Sequence, residues 1–238
     1  MTRLSVNINK VALLRNSRGT NLPDLTQVAK DCEAFGAQGI TVHPRPDERH
    51  IRYNDIPLLK EVVTTEFNIE GNPTPQFLQL VLDNRPTQCT LVPDAPGALT
   101  SDSGWDTIKH AELLKDVVAQ LKEAGIRVAL FVNAEETQIE GAKEVGADRV
   151  ELYTGTFANQ FLQDREKAVL PHRRCGELAG KIGIGLNAGH DLNLDNLAFY
   201  KSAVENLLEV SIGHALIAQD ALYFGLHNSI QLYLRQLR

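Results

Sequence analysis

His43, Glu70 and His190 stand where short apolar runs end, and packing demands none of them. Gly39-Ile40-Thr41-Val42 reads as a buried strand, and Pro44 and Pro46 behind it cannot donate to a ladder. His43 therefore closes the strand, with Arg45 beside it and His50 further on. Residues 66–70 read as a strand that delivers Glu70, and Asn187-Ala188-Gly189-His190-Asp191 closes another. Taken singly, His43 fits a hydrogen-bonded strand end and Glu70 a satisfied core carboxylate. Together they have another use: a carboxyl in a closed, partly dry mouth has a raised pKa and can act as a general base near neutral pH. Two histidines and a glutamate around one mouth can support repeated proton transfer.

Two Gly-His pairs, Gly189-His190 and Gly213-His214, suggest what is bound. Glycine lets a backbone approach phosphate oxygens, and the N-terminus of a following helix offers unpaired N–H groups. Arg18 and Arg45 suit a second anion, because guanidinium meets phosphate with paired hydrogen bonds. Two anion sites imply two phosphorylated substrates. Lys10 reads as an electrostatic ligand contact, with a Schiff-base role as the other option for a desolvated lysine. His43, Glu70 and His190 come from separate strands and in no tight ligand motif, so no metal is expected. Cys32, Cys89 and Cys175 are odd in number and widely spaced, as reduced thiols are.

These residues need a frame that gathers strand ends. Apolar β-rich runs at 4–9, 39–43, 66–70, 88–92, 127–132, 149–153, 183–188 and 209–212 alternate with helix-periodic runs. The latter cover 23–35, 54–63, 74–84, 110–124, 135–145, 157–180, 194–207 and 216–237. Eight such units in 238 residues match one (β/α)₈ barrel domain over 1–238, whose C-terminal strand rim carries catalysis. An open doubly wound sheet is the runner-up, weakened by Asn-Ile-Asn-Lys standing where a glycine fingerprint belongs. Reactive residues collect at the strand C-termini, with nothing comparable expected at the N-terminal ends. Asn7 and Asn9 are expected on one face of the first strand, and Asn68 and Glu70 on one face of the third. The segment after the fourth strand, 93–109, and the long run 157–180 are expected to form a lid or extra helices. His110, His172 and His227 are assigned to helix surfaces, and Glu151 to orienting other groups.

A net charge of −6 argues against nucleic-acid and anionic membrane partners. No run approaches the roughly 18 apolar residues of a membrane span, and no leader pattern opens the chain, so a cytoplasmic location is expected.

The ordered landmarks Val6-Asn7-Ile8, residues 14–20 (Leu-Arg-Asn-Ser-Arg-Gly-Thr), 39–45, 47–51, Asn68-Ile69-Glu70, Leu91-Val92-Pro93, Asn187-Ala188-Gly189-His190 and Ile212-Gly213-His214-Ala215 closely resemble the pyridoxine 5'-phosphate synthase family. The resemblance covers essentially the whole chain. It implies a (β/α)₈ barrel that joins 1-deoxy-D-xylulose 5-phosphate to 3-amino-2-oxopropyl phosphate, giving pyridoxine 5'-phosphate, phosphate and water without a cofactor. It further implies general bases at His43 and Glu70 and a general acid at His190. Substrate contacts are implied at Asn7, Arg18, Arg45, His50, Thr100, Asp191, Gly213 and His214, and an assembly of identical subunits, an octamer in well-known members. Many members carry Asp-His where this chain has Asn9-Lys10, and Gly in place of Asp191.

Overall fold

Eight strands pair in parallel in sequence order, and the last returns to the first to close a barrel. They are β1 (Arg3–Asn7), β2 (Gly39–Val42), β3 (Glu66–Gly71), β4 (Gln88–Leu91), β5 (Arg127–Val132), β6 (Arg149–Tyr153), β7 (Gly185–Gly189) and β8 (Leu207–Ile212). The structure is a computed structural model and describes residues 1–94, 101 and 103–238. Thr100 and the centre of the segment expected as a lid lie outside the described residues.

Side chains alternate along each strand with a regularity that fixes where the core sits. Leu4, Val6, Ile40, Val42, Phe67, Ile69, Cys89 and Leu91 are fully or almost fully buried and belong to one apolar cluster with the surrounding helices. Their neighbours Ser5, Thr41, Asn68 and Thr90 are equally buried but bond one another. Ser5 Oγ meets Thr41 Oγ1 at 2.7 Å, Asn68 donates to Thr41 Oγ1 at 3.4 Å, and Thr90 donates to Asn68 Oδ1 at 3.0 Å. The barrel interior is thus polar, where Val, Ile and Leu layers are usual.

The N-terminal ends of the strands correct an expectation. Arg3, Glu66, Arg127 and Arg149 each open a strand. Arg3 and Arg127 both pair with Glu66, and Arg149 pairs with Glu209 at 3.6 Å. Each charge arrives with a partner, and the pairing matters most for Glu209, which is almost fully buried, whereas the Arg3 side chain is half exposed.

Around the barrel run α1 (Asn9–Asn16), α2 (Leu25–Ala34), α3 (Asp55–Val62), α4 (Pro75–Asn84), α5 (Ala111–Glu123), α6 (Glu136–Glu144), α7 (Gly155–Ile182) and α8 (Leu197–Ala203). A π-helical turn (Leu216–Asp220), α9 (Ala221–Phe224) and α10 (Leu226–Gln236) complete the chain. The first helix was not expected. The alternation of Asn7-Ile8-Asn9 imitates a strand, but Ile8, Val11, Ala12 and Arg15 are buried at helical spacing, and Ile8 O accepts from the N–H groups of Val11 and Ala12. Asn7 and Asn9 therefore do not share a strand face.

Two expected helices are broken. Asp164 leaves helical geometry within α7 (φ −156°, ψ 85°) and accepts from Lys167 N–H at 3.0 Å, so it caps a second helical piece. Gly225, at φ 75°, separates α9 from α10 within the run expected as one helix over 216–237. The helix expected over 194–207 is shorter, because Leu207 already belongs to β8. His172 is a further correction: it is buried, with Nδ1 3.0 Å from Tyr200 Oη, and ties α7 to α8. All three cysteines are free and buried, and burial pushes the Cys32 and Cys175 thiols up to about 12. Among the described residues no helix is long and apolar enough to cross a membrane.

Candidate active site

A cavity of about 630 Å³ opens at the C-terminal rim of the barrel and gathers side chains from most of the strand ends. Its lining includes His43, Glu70, Glu151 and His190, with Arg45 and His50 on one side and Gly213 and His214 on another.

His43 follows β2 directly and is 5 % exposed. Asn9, at the start of α1, accepts its backbone N–H at 2.9 Å, and the Asn9 N–H in turn donates to Asn7 Oδ1 at 3.0 Å. This relay fixes the β2 exit to the β1 exit. It needs only an acceptor oxygen at position 9, which an asparagine amide supplies as well as an aspartate carboxylate. Burial is the main reason the His43 imidazole titrates well below its usual range, reinforced by the positive charges of Arg45, His50 and Arg49.

Glu70, near the end of β3, lies with Oε2 4.0 Å from His43 Nδ1 and accepts from Asn7 Nδ2 at 3.5 Å. Burial holds its carboxyl well above the usual carboxylate range, and the acidic groups of Glu151, Asp94 and Glu209 add to that against the pull of Arg45. Glu151, on β6, behaves alike: burial first, then Glu209, push it up to about 8. Gly189 makes room for it, because a Cβ there would come within 2.7 Å of Glu151 Oε1. The cavity thus holds two carboxyls inclined to keep their protons beside an imidazole inclined to be neutral. That combination is suited to acid–base work near neutral pH.

His190 follows β7 in a left-handed conformation (φ 59°), as does Asp191 (φ 58°), which turns the His190 ring toward the cavity edge. Its Nδ1 is 3.2 Å from Asp191 Oδ2, and its ring lies 5.4 Å from that of Tyr153. The hydrogen bond from His190 keeps the Asp191 carboxyl below its usual range, with the charges of His190 and His214 acting in the same direction. Gly213 passes so close to Asn7 that a Cβ would meet the Asn7 side chain at 3.1 Å. The helical turn after it starts at His214, and Gly213, His214 and Ala215 line the cavity, so the start of a helix, whose first N–H groups lack intrahelical partners, adjoins this rim.

Arg45 is 7 % exposed and paired with Asp94 at 2.5 Å. His50 is held from behind by α1: Asn16 Nδ2 donates to the carbonyls of Glu48, Arg49 and His50, and Arg15 donates to His50 O at 3.2 Å. Arg15 itself is fixed by both oxygens of Asp55, at 2.7 and 2.8 Å. The backbone N–H of Ile51 donates to His50 Nδ1, and burial, with Arg45 and Arg49 nearby, lowers the His50 pKa to about 4. The neutral ring therefore carries its proton on Nε2.

Of the residues singled out in the sequence, Asn7, Lys10, His43, Arg45, His50, Glu70, His190, Asp191, Gly213 and His214 line this one cavity. Arg18 does not; it is exposed in the turn after α1. Lys10 reaches the cavity from the first turn of a helix rather than from a strand end. Sequence reasoning gave Glu151 only an orienting role and passed over Asp94, Ser101 and the capping task of Asn9. The period-2 relation of Arg149, Glu151 and Tyr153 was the available signal, since it puts a carboxyl on the inward face of a strand.

Solved barrels show the same architecture at low identity. A phosphoribosylanthranilate isomerase from Thermotoga maritima superposes with a TM-score of 0.63 at 15% identity, covering 100% of this chain and 98% of that one. A thiamine phosphate pyrophosphorylase from Pyrococcus furiosus does so at 0.63 and 9%, covering 99% of this chain and 95% of that one. These show the fold alone. Sequence relatives are much nearer: pyridoxine 5'-phosphate synthases from Flavobacterium johnsoniae and Cytophaga hutchinsonii are 57% and 58% identical over 238 residues, covering all of each chain. One from Bacteroides thetaiotaomicron is 56% identical over the same span. The family model described as pyridoxal phosphate biosynthesis protein PdxJ matches residues 4–238. With the fold, the full-length identity and the family model in agreement, the chain belongs to the PdxJ family of pyridoxine 5'-phosphate synthases.

Proposed function

We propose that this cavity joins 1-deoxy-D-xylulose 5-phosphate to 3-amino-2-oxopropyl phosphate, closes the pyridine ring and releases pyridoxine 5'-phosphate, inorganic phosphate and water. The observation that carries the reading is the convergence of His43, Glu70 and His190 on one mouth between two anion-suited regions. An amine must add to a ketone, water and phosphate must leave, and protons must move at several positioned carbons. In this reading His43 and Glu70 accept protons and His190 donates one. Arg45 and His50 hold one phosphate by a guanidinium and an Nε2–H donor, and the Gly213-His214 turn holds the other through backbone N–H groups. Asn7 and Lys10 orient the substrate between them, and Thr100 and Arg18 are further contacts that the family resemblance suggests. The reading calls on no metal or organic cofactor, because the additions that join the substrates and close the ring, and the losses of water and phosphate, can each be assisted by proton transfer from these groups.

The purified protein, given both phosphorylated compounds and no added metal, is expected to release phosphate and form a product with the mass and absorbance of pyridoxine 5'-phosphate. Saturating substrates without product would defeat this reading. We also propose a cytoplasmic enzyme assembled from identical subunits, an octamer as in well-known members, which light scattering of the eluted protein reads directly.

A further inference from the structure

Arg45 already has an anion. One of its terminal nitrogens lies 2.5 Å from Asp94 Oδ2, and the Ser101 hydroxyl donates to that same oxygen at 2.7 Å. The same guanidinium nitrogen is 3.5 Å from Ser101 Oγ. Both members of the ion pair are 8% exposed in their side chains. Asn72, just beyond β3, donates to the Asp94 carbonyl at 3.1 Å, which pins the exit of β4 to that of β3. Asp94 is therefore held by its backbone as well as its side chain, and it cannot swing away without breaking several bonds.

A guanidinium stays charged under all ordinary conditions, and a buried one left alone is strongly disfavoured. Between turnovers the carboxylate answers that charge and keeps the guanidinium aimed along the cavity wall. When a phosphate reaches Arg45, its negative charge arrives beside a fixed carboxylate, and the repulsion opposes binding. The same negative charge contributes to holding Glu70 above its usual range, so Asp94 acts on the cavity as a whole.

We propose that Asp94 is a positioning residue, the resident counter-ion of Arg45, which orients the guanidinium between turnovers and limits how tightly the site holds phosphate. The proposal rests on the reading of Arg45 as a phosphate contact. It makes Asp94 a determinant of product release: an arginine without this rival would retain inorganic phosphate.

The test is competitive inhibition by inorganic phosphate of the full-length enzyme. Asp94→Asn keeps the shape and removes the charge, and is expected to tighten phosphate binding about tenfold, with KM for the phosphorylated substrate and kcat falling together. Phosphate binding that is unchanged or weaker in this variant overturns the proposal, since a merely structural loss would weaken it. Asp94→Glu restores the charge and is expected to return inhibition toward the wild-type value; failure to do so also overturns it. Should Asp94→Asn not fold, Ser101→Ala serves in its place. It leaves the carboxylate wholly to Arg45 and is expected to weaken phosphate binding about threefold, whereas tighter or equal binding refutes the counter-ion role. Arg45→Ala is run beside them. If it leaves phosphate inhibition unchanged, the reading of Arg45 itself fails, whatever Asp94 does.

Discussion

His43 Nδ1 lies 4.0 Å from Glu70 Oε2, and burial drives the two groups in opposite directions. Removing water disfavours whichever form is charged, so the imidazole is held as the free base while the carboxyl is inclined to keep its proton. In the resting cavity His43 is thus ready to accept a proton at once. Glu70 becomes a base only after its own proton has gone elsewhere, and its 4.0 Å separation from the imidazole is too long for a direct hydrogen bond.

Glu70→Gln preserves the volume and an oxygen for Asn7 but cannot move a proton. It is expected to lower kcat by roughly 10²–10⁴-fold while KM changes little, the usual effect of removing a positioned acid or base. Steady-state kinetics with both substrates decide the matter. A defect confined to KM would assign Glu70 to binding instead.

Glu151, raised to about 8, sets a pH limit. Below that value its carboxyl is neutral; above it, a negative charge appears in the cavity that Glu70 also lines, with Glu209 acting on it from deeper in the barrel. The rate is expected to fall on the alkaline side with a macroscopic pKa near 8 that belongs to the coupled carboxyls together. Glu151→Gln, neutral at every pH, removes that limb and lowers the plateau. A pH profile with the alkaline limb intact in the variant would show that Glu151 does not govern it.

His172 links pH to stability. Burial lowers its pKa to about 4 from the ordinary 6.5. Folding favours the neutral ring, so its contribution is fully present above 6.5 and is lost as pH falls toward about 4. The difference amounts to about 3 kcal/mol across that window. Urea titrations from pH 7 to 4 are expected to show a shallower acid loss for His172→Phe, by about one proton, than for the wild type. Parallel curves would rule out His172 as a source of the acid sensitivity. The variant also loses the bond to Tyr200, which shifts the whole curve without changing its slope.

Much of this protein was legible in its residues. Alternating apolar runs located all eight strands of the barrel, because a strand buried between helices and a barrel interior needs an apolar face whatever surrounds it. Prolines 44 and 46 marked where β2 must stop, and so located His43 at the rim. The helix over Asn9–Asn16 was missed because a single polar–apolar alternation outweighed the longer pattern of Ile8, Val11, Ala12 and Arg15. Glu151 and Asp94 were under-read for a different reason: strand periodicity could place the Glu151 carboxyl on the inward face, but nothing local says which charges it or the loop residue Asp94 will meet.

The sequence by itself determined the barrel, its order and the residue types at its mouth, because hydrophobic periodicity and turn chemistry are local. Only the tertiary structure decided which charges meet. It placed Glu70 beside His43, gave Arg45 to Asp94 and left Arg18 outside the cavity. It also filled the barrel interior with hydrogen-bonded polar groups and paired the arginines at its far end. Those outcomes depend on distances of a few ångströms between residues far apart in the chain, and at that range burial and charge, rather than residue type, set where each proton rests.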